Sequence, residues 1–170
     1  MTVLGGGAFG TAMAQVCARN GSKVKIWARE PEVIESINQR HTNEMFLSGV
    51  SLSHNITATS DVLEALQNTE LVYLVVPTQF LRSVMVKHRA DLPIGVPLLC
   101  CTKGIERSTL LTPYEILIEE LPGKYHNHLA VLSGPSFAKE VALGQPTSVL
   151  VASKNPGVSE MVGVFSSVFR

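Results

Sequence analysis

Residues 3–10 of the chain, VLGGGAFG, decide the fold class. Gly5, Gly7 and Gly10 match the pattern G-x-G-x-x-G directly after a short apolar segment. In a turn from strand to helix, the first glycine permits the bend and the second lets a pyrophosphate approach the backbone. The third lets the helix pack closely on the strand. The helix N-terminus then directs free N–H groups at the phosphates. The motif predicts a dinucleotide site, and the alternative is a plain glycine-rich turn.

Short apolar runs alternate with helical stretches along the chain. The runs at residues 70–76, 96–101 and 129–132 are continuous, which is typical of parallel strands covered on both faces. This alternation implies right-handed crossovers, so we predict an α/β fold with a doubly wound, mostly parallel sheet of the Rossmann type. Residues 40–54 are predicted to form a long loop, which in a compact domain often has a function. The remaining predicted strands are 3–4, 24–27, 55–59 and 148–151, and the predicted helices are 11–20, one from Pro31, 61–67, 80–87, 112–121, 137–143 and 158–169.

Composition excludes several classes of function. The 170 residues include 14 Lys plus Arg and 14 Asp plus Glu, so the formal net charge is zero. Balanced charge argues against a general nucleic-acid binder and a polybasic membrane binder. No apolar run approaches the roughly 18 residues of a membrane span. Three cysteines and no recognisable leader favour a reducing compartment, so we expect a cytoplasmic protein unless an organelle address lies outside this segment.

Two charged residues follow the second predicted strand, where dinucleotide folds recognise the adenosine ribose. Glu30 could bind the ribose hydroxyls of NAD, whereas Arg29 could pair with the 2′-phosphate of NADP or stack on adenine. Alternatively, Glu30 is a first-turn acid complementing the helix dipole and Arg29 is a plain surface residue. The cofactor therefore stays open between NAD and NADP, although the spacing of Glu30 slightly favours NAD.

Three candidates follow later strands, at the edge where ligands of such sheets bind. Lys103 could set its ammonium over a substrate oxygen or the nicotinamide ribose, or could be a solvated loop residue. Ser136 could cap the next helix, or that helix N-terminus could receive a substrate oxygen. Phe80 could lean on a bound nicotinamide or fill the core.

Two pairs of residues could indicate a metal site or a reactive thiol. His126 and His128 could face one way on a strand and contribute to a zinc site, but no third ligand has a sensible spacing, so we expect no metal. Cys100 and Cys101 lie in a predicted buried strand and should pack as small apolar residues. Their position beside Lys103 leaves oxidation as the alternative.

The motifs together resemble the N-terminal domain of NAD(P)-dependent glycerol-3-phosphate dehydrogenases. The matching segments are VLGGGAFGTAMA, VKIWARE, VPTQFLRS, CTKGIE and LSGPSFAKEVA, in an order and spacing that cover essentially all 170 residues. The resemblance implies reversible hydride transfer between NAD(P)H and dihydroxyacetone phosphate, giving sn-glycerol 3-phosphate. This product is a glycerophospholipid precursor and part of a redox shuttle, and the family enzyme is expected to be a homodimer.

The resemblance also implies a role for each candidate residue. Its cofactor-binding residues would be Gly5, Gly7, Ala8, Phe9 and Gly10 around the pyrophosphate, Arg29 near the adenosine, and Phe80 and Ala138 along the site. Lys103 would touch both cofactor and substrate, and Gly134 and Ser136 would line the substrate pocket.

The family's remaining site residues have no counterpart in this sequence. Its proton-donating lysine, and the arginine and asparagine that grip the substrate phosphate, belong to a C-terminal helical domain. We therefore expect residues 1–170 to be one NAD(P)-binding domain without catalytic residues of its own, cut after Phe169-Arg170 before the last sheet strand. Such a piece should bind dinucleotide and turn over little substrate.

Two other functions compete with this interpretation. A stand-alone NAD(P)-binding sensor module without catalysis would need the same cofactor residues. Another dehydrogenase with a helical partner domain, such as one acting on sugar acids, is disfavoured by the pair CTKGIE and SGPSFAKEV.

Overall fold

One sheet organises the computed structural model, which describes residues 1–166. Its strands are β1 (Thr2–Leu4), β2 (Val24–Trp27), β3 (Ile56–Thr59), β4 (Val72–Leu74), β5 (Leu98–Cys100), β6 (Leu129–Ser133) and β7 (Leu150–Ser153). Their spatial order is β3-β2-β1-β4-β5-β6-β7. The chain thus builds outward from β1 in one direction and then in the other, which confirms the predicted doubly wound sheet. This order places a switch point between β1 and β4, where ligands of such folds bind.

Helices connect the strands and cover both faces. They are α1 (Ala8–Arg19), α2 (Pro31–Glu35), α3 (Val62–Leu66), α4 (Thr78–His88), α5 (Pro113–Glu120), α6 (Ala138–Leu143) and α7 (Pro156–Ser166). A π-helical turn (Ser36–Arg40) follows α2, and a 3₁₀ helix (Gly123–His128) precedes β6. Among the described residues, none of these helices combines the length and apolarity that a bilayer crossing requires.

The sheet is mostly parallel, as predicted, and β7 is its exception. Strands β1 to β6 pair in parallel. Strand β7 runs antiparallel to β6, with Ser133 opposite Leu150 and Ala130 opposite Ser153. The chain therefore leaves β6 and enters β7 at the same edge of the sheet, and the connecting helix α6 packs against α1.

Each face of the sheet has its own apolar core. Successive residues of a strand point to opposite faces, so Val3 and Leu99 pack in one cluster while Leu4 and Leu98 pack in the other. All four side chains are completely buried. Burial on both faces explains why the central strands appear in the sequence as continuous apolar runs.

The same alternation separates the two adjacent cysteines. Cys100 packs in one cluster and Cys101 in the other, and both are buried. Burial raises the pKa of Cys100 to about 11 and that of Cys101 well above its usual range. The prediction of apolar packing is therefore confirmed, and a reactive thiolate at either position is disfavoured.

Some boundaries and one element differ from the sequence-based prediction. Helix α1 begins three residues before the predicted start at Thr11, because the glycine-rich turn already delivers the chain in helical geometry at Ala8. His126 and His128 lie on the 3₁₀ helix, so the strand interpretation of this pair was wrong. Among the described residues, no group of three His, Cys, Asp or Glu could hold a metal ion. The final part of the predicted helix 158–169 lies outside the described residues.

Candidate functional site

The glycine-rich turn joins β1 to α1 at the carboxyl edge of the sheet. Gly5 has a φ of +130°, and a Cβ on it would lie 2.7 Å from the carbonyl oxygen of Val75. A Cβ on Gly10 would lie 1.9 Å from the carbonyl oxygen of Gly5. Both positions therefore require glycine, one for the bend beside β4 and the other for the close approach of α1 to the turn.

Gly7 is the N-cap residue of α1 and faces open space. Among the described residues beyond its own stretch of the chain, no heavy atom lies within 4 Å of the position that its Cβ would occupy. Gly7 has no side chain to cap the first N–H groups of the helix, and the first turn of α1 contains no acidic residue. These N–H groups and the positive end of the helix dipole are therefore available to an anion.

A groove runs over this turn in two contiguous parts. The first, of about 220 Å³, and the second, of about 270 Å³, share Gly7, Val75, Val76 and Pro77. The first part is also lined by Gly5, Gly6, Trp27, Ala28, Arg29, Glu30, Phe46, Phe80 and Val84, and the second by Ala8, Phe9, Gly10, Cys101, Thr102 and Lys103. The predicted pyrophosphate residues thus lie between Arg29 at one end and Lys103 at the other.

Arg29, Glu30 and Phe80 form the first end of the groove. The guanidinium carbon of Arg29 lies 5.5 Å from the centre of the Phe80 ring, within cation–π range. Phe80 belongs to the first turn of α4 and is 49% exposed, so the interpretation of Phe80 as a core residue was wrong. Glu30 is the N-cap residue of α2 but makes no side-chain capping hydrogen bond, and its carboxylate lies 3.6 Å from Arg29 instead.

Lys103 contacts three other predicted site residues at the second end of the groove. Its ammonium nitrogen donates hydrogen bonds to the carbonyl oxygen of Gly134 at 2.9 Å and to Oγ of Ser136 at 3.1 Å. The same nitrogen lies 5.4 Å from the centre of the Phe9 ring. Gly134 has a φ of +146°, and a Cβ there would lie 2.6 Å from the carbonyl oxygen of Ser148, so this position requires glycine.

Ser136 and Ala138 lie on either side of the N-cap of α6. Helix α6 begins at Ala138 with Phe137 as its N-cap, so the interpretation of Ser136 as the helix cap was wrong. The hydroxyl of Ser136 is instead used by Lys103. Ala138 is half-buried against the apolar core and lies outside the groove lining given above.

The loop predicted over residues 40–54 contributes two residues that the sequence did not single out. Asn43 is completely buried, and its Nδ2 donates to the carbonyl oxygen of Gly6 at 2.9 Å and to Oγ1 of Thr11 at 2.7 Å. Its Oδ1 accepts from the backbone N–H of Phe46, whose side chain lines the first part of the groove. No local pattern predicts the burial of Asn43, because the two acceptors of its Nδ2 lie more than 30 residues away in the chain.

Known proteins have similar sequences and a similar fold. A family model described as NAD-dependent glycerol-3-phosphate dehydrogenase N-terminus matches residues 1–159. The chain belongs to this glycerol-3-phosphate dehydrogenase family. The match confirms the resemblance on which the sequence-based roles rest, and it disfavours an unrelated dehydrogenase.

Individual members of the glycerol-3-phosphate dehydrogenase family give the extent of the likeness. The chain is 49% identical over 152 residues to glycerol-3-phosphate dehydrogenase [NAD(P)+] of Myxococcus xanthus, which covers 89% of this chain and 45% of that protein. It is 45% identical over 160 residues to the Rhodospirillum rubrum protein of the same name, covering 94% of this chain and 45% of that protein. A crystal structure of the Coxiella burnetii glycerol-3-phosphate dehydrogenase superposes with a TM-score of 0.85 at 29% identity, covering 96% of this chain and 49% of the other. The chain thus spans about half the length of the relatives it matches.

Proposed function

We propose that this chain is the cofactor-binding half of a glycerol-3-phosphate dehydrogenase. In this proposal NAD(P)H binds along the groove, and hydride passes reversibly to dihydroxyacetone phosphate to give sn-glycerol 3-phosphate. The observation that carries the proposal is the groove itself, with an uncapped helix N-terminus between Arg29 at one end and Lys103 at the other. Its shape and charge suit a long ligand with a central diphosphate.

The groove residues fit the cofactor part by part. The N-terminus of α1 and the open space at Gly7 would hold the diphosphate, since a Cβ at Gly7 would fill the space the diphosphate needs. Arg29 and Phe80 would hold the adenosine end. When bound, the nicotinamide supplies the hydride chemistry, and the protein supplies orientation and electrostatic field.

Lys103 would act on the substrate carbonyl. An ammonium group has three N–H donors, and the two hydrogen bonds to Gly134 and Ser136 use two of them. The third donor can reach a substrate oxygen and favour the negative charge that develops there during reduction. Gly134 and Ser136 would then line the substrate pocket, and their hydrogen bonds would fix the ammonium of Lys103 there.

The proposal includes a second half that lies outside these 170 residues. A C-terminal helical domain would supply the proton-donating lysine and the arginine and asparagine for the substrate phosphate. Residues 1–170 alone would therefore bind dinucleotide and turn over little substrate. We further propose that the full-length enzyme is a cytoplasmic homodimer whose product serves glycerophospholipid synthesis and a redox shuttle.

Cofactor titration tests the binding half of this proposal. Trp27 lines the groove beside Arg29, so NADH or NADPH should quench its emission saturably. Arg29→Ala should weaken the affinity for NADPH about tenfold, which corresponds to about 1.4 kcal/mol. The matched control is Arg40→Ala, because Arg40 is also exposed and also lies 3.6 Å from a glutamate, but outside the groove. If neither cofactor produces a saturable change, the chain is not a dinucleotide-binding domain.

Turnover assays separate the enzyme from the sensor. Oxidation of NADH with dihydroxyacetone phosphate should be close to zero for residues 1–170 and rapid for a chain that continues into the helical domain. Turnover by residues 1–170 at the rate of the longer enzyme would contradict the division into two halves. Binding without turnover in the longest natural chain would favour the sensor module.

The Arg29–Glu30 pair bears on the choice of cofactor. A 2′-phosphate must displace Glu30 from Arg29 and tolerate the nearby carboxylate, whereas ribose hydroxyls can donate to that carboxylate. We therefore propose a modest preference for NAD. Glu30→Gln should raise the affinity for NADPH relative to NADH, and a wild-type affinity that is higher for NADPH would contradict this preference.

A further inference from the structure

Helix α4 holds the loop that carries Lys103, residues 101–111, at several points, in addition to the hydrogen bonds of Thr102 to the carbonyl oxygens of Leu74 and Val76. The loop lies between β5 and α5, and Lys103, Gly104 and Ile105 are exposed. Oγ1 of Thr78, the first residue of α4, donates to the carbonyl oxygen of Lys103 at 2.7 Å. Thr78 itself is buried, so this hydrogen bond anchors the backbone of Lys103 to the body of the sheet.

The next residue of α4 holds the loop at two more points. Nε2 of Gln79 donates to the carbonyl oxygen of Ile105 at 2.8 Å, and Oε1 of Gln79 accepts from the backbone N–H of Arg107 at 3.2 Å. One side-chain amide thus bonds both an acceptor and a donor of the loop backbone. Gln79 is exposed, so no burial of its side chain accounts for its position.

A buried carboxylate completes this set of contacts. Nε of Arg82 donates to both carboxylate oxygens of Glu106 at 3.1 Å, and its Nη2 donates to Oε2 at 2.9 Å. Glu106 is only 5% exposed and also accepts a hydrogen bond from Thr109. Arg82 further contacts Glu119 and Glu120 of α5, so it joins α4, the loop and α5.

We propose that Gln79, Arg82 and Glu106 are positioning residues that hold Lys103 within reach of Gly134 and Ser136. The proposal rests on the proposed function, in which Lys103 meets the substrate. The ammonium of a lysine stands on a flexible four-carbon stem. The ammonium of Lys103 therefore keeps one position only if the backbone of Lys103 is fixed. A misplacement of about 1 Å at a reacting group can cost about a hundredfold in rate.

The same helix also faces the other end of the groove. Phe80 lies between Gln79 and Arg82 in the sequence of α4, and its ring contacts Arg29. The N-terminal turns of α4 therefore support both the adenosine end and the Lys103 end. Conservative changes at Gln79 or Glu106 should disturb Lys103 while leaving the Phe80–Arg29 contact intact, so the two effects can be measured separately.

Competitive lysine labelling tests the proposal on residues 1–170. Reductive methylation is followed by mass spectrometry at Lys103, with Lys124 and Lys154 as references in the same sample. We expect Lys103 to react several-fold faster in Gln79→Ala and in Glu106→Gln than in the wild type, with unchanged reference lysines. Glu119→Gln is the matched control, because it removes the charge of another partner of Arg82 without touching the loop.

Two results would overturn the proposal. Unchanged labelling of Lys103 in both Gln79→Ala and Glu106→Gln would show that the contacts do not fix its side chain. An equal increase at Lys103 and the reference lysines would show a general loss of stability instead. Gln79→Ala guards against misfolding, since Gln79 is exposed.

Kinetics in the longer enzyme give the second readout. Gln79→Ala should lower kcat about tenfold and leave the KM for NADH unchanged. A merely structural role of Gln79 would not lower kcat selectively in this way. Failure of the proposed function is distinguishable, because it would appear as absent NADH binding in the wild type. The labelling result would still report whether these contacts fix Lys103.

Discussion

Alanine at Gly10 should push α1 away from the turn that precedes it. The new Cβ would lie 1.9 Å from the Gly5 carbonyl oxygen, and Cβ atoms essentially never approach closer than 3.0 Å, so the backbone must move by about 1.1 Å. Overpacking of this kind costs about 1–3 kcal/mol. In a domain of this size, each kcal/mol lowers the Tm by about 2–4 °C. We therefore expect a Tm lower by about 2–12 °C.

Alanine at Gly7 provides the opposite case in the same motif. Gly7 has a φ of −71°, which alanine adopts freely, and its Cβ would meet open space in the described part of the chain. The Tm should therefore stay at the wild-type value. If the groove holds a diphosphate at this point, the added methyl group should lower the affinity for NADH at least about tenfold, or about 1.4 kcal/mol.

The assay combines thermal unfolding with titration of Trp27 emission. Gly123→Ala is the control, because its Cβ would also meet open space among the described residues, in a 3₁₀ helix away from the groove. A wild-type Tm for Gly10→Ala would refute the packing argument. An unchanged NADH affinity for Gly7→Ala would refute the location of the diphosphate, whatever happens at Gly10.

Three further outcomes are expected. Asn43→Ala leaves the Gly6 carbonyl oxygen without this donor, so the free energy of unfolding should fall by about 1–3 kcal/mol in denaturant titration. Arg82 holds the pKa of Glu106 below its usual 4.5, so this carboxylate adds stability that is present above pH 4.5 and lost as the pH falls through the lowered pKa. The Tm difference between wild type and Glu106→Gln should therefore be full at neutral pH and shrink in acid. All three cysteines are buried, and burial raises the pKa of Cys101. A thiol reagent should therefore modify the three cysteines at neutral pH only after unfolding.

Local signals in the sequence predicted most of the fold. The glycine spacing and the apolar runs each depend on residues within one turn or strand, so they identify β1, α1 and the buried strands without knowledge of the rest. The direction of β7 could not be obtained in this way, because an apolar run has no marker for the strand beside it. Helix α6, which leads into β7, packs on α1, and this contact joins residues more than a hundred positions apart.

In the candidate site too, residues with local sequence signals could be predicted, and residues placed by tertiary contacts could not. The glycines of the turn and Lys103 follow strands directly, so their approximate place could be predicted from topology. Asn43 could not be predicted, because its hydrogen bonds to Gly6 and Thr11 are tertiary contacts from a loop without periodicity. The use of the Ser136 hydroxyl by Lys103 was missed for the same reason, since a helix cap is a local signal and a lysine 33 residues away is not.

The arrangement of charge explains how a chain with zero net charge can suit a polyanionic ligand. Glu30 is the acidic residue in the described lining of the groove, and it is already paired with Arg29. Arg82 of α4 pairs with three other acids, Glu106 of the loop and Glu119 and Glu120 of α5. The lining of the groove therefore carries two cations, Arg29 and Lys103, against the one carboxylate of Glu30, and the positive end of the helix dipole adds to them. Zero net charge argues against a polyanionic partner that covers a wide surface, but it does not bear on a ligand that meets two cations and a few N–H groups.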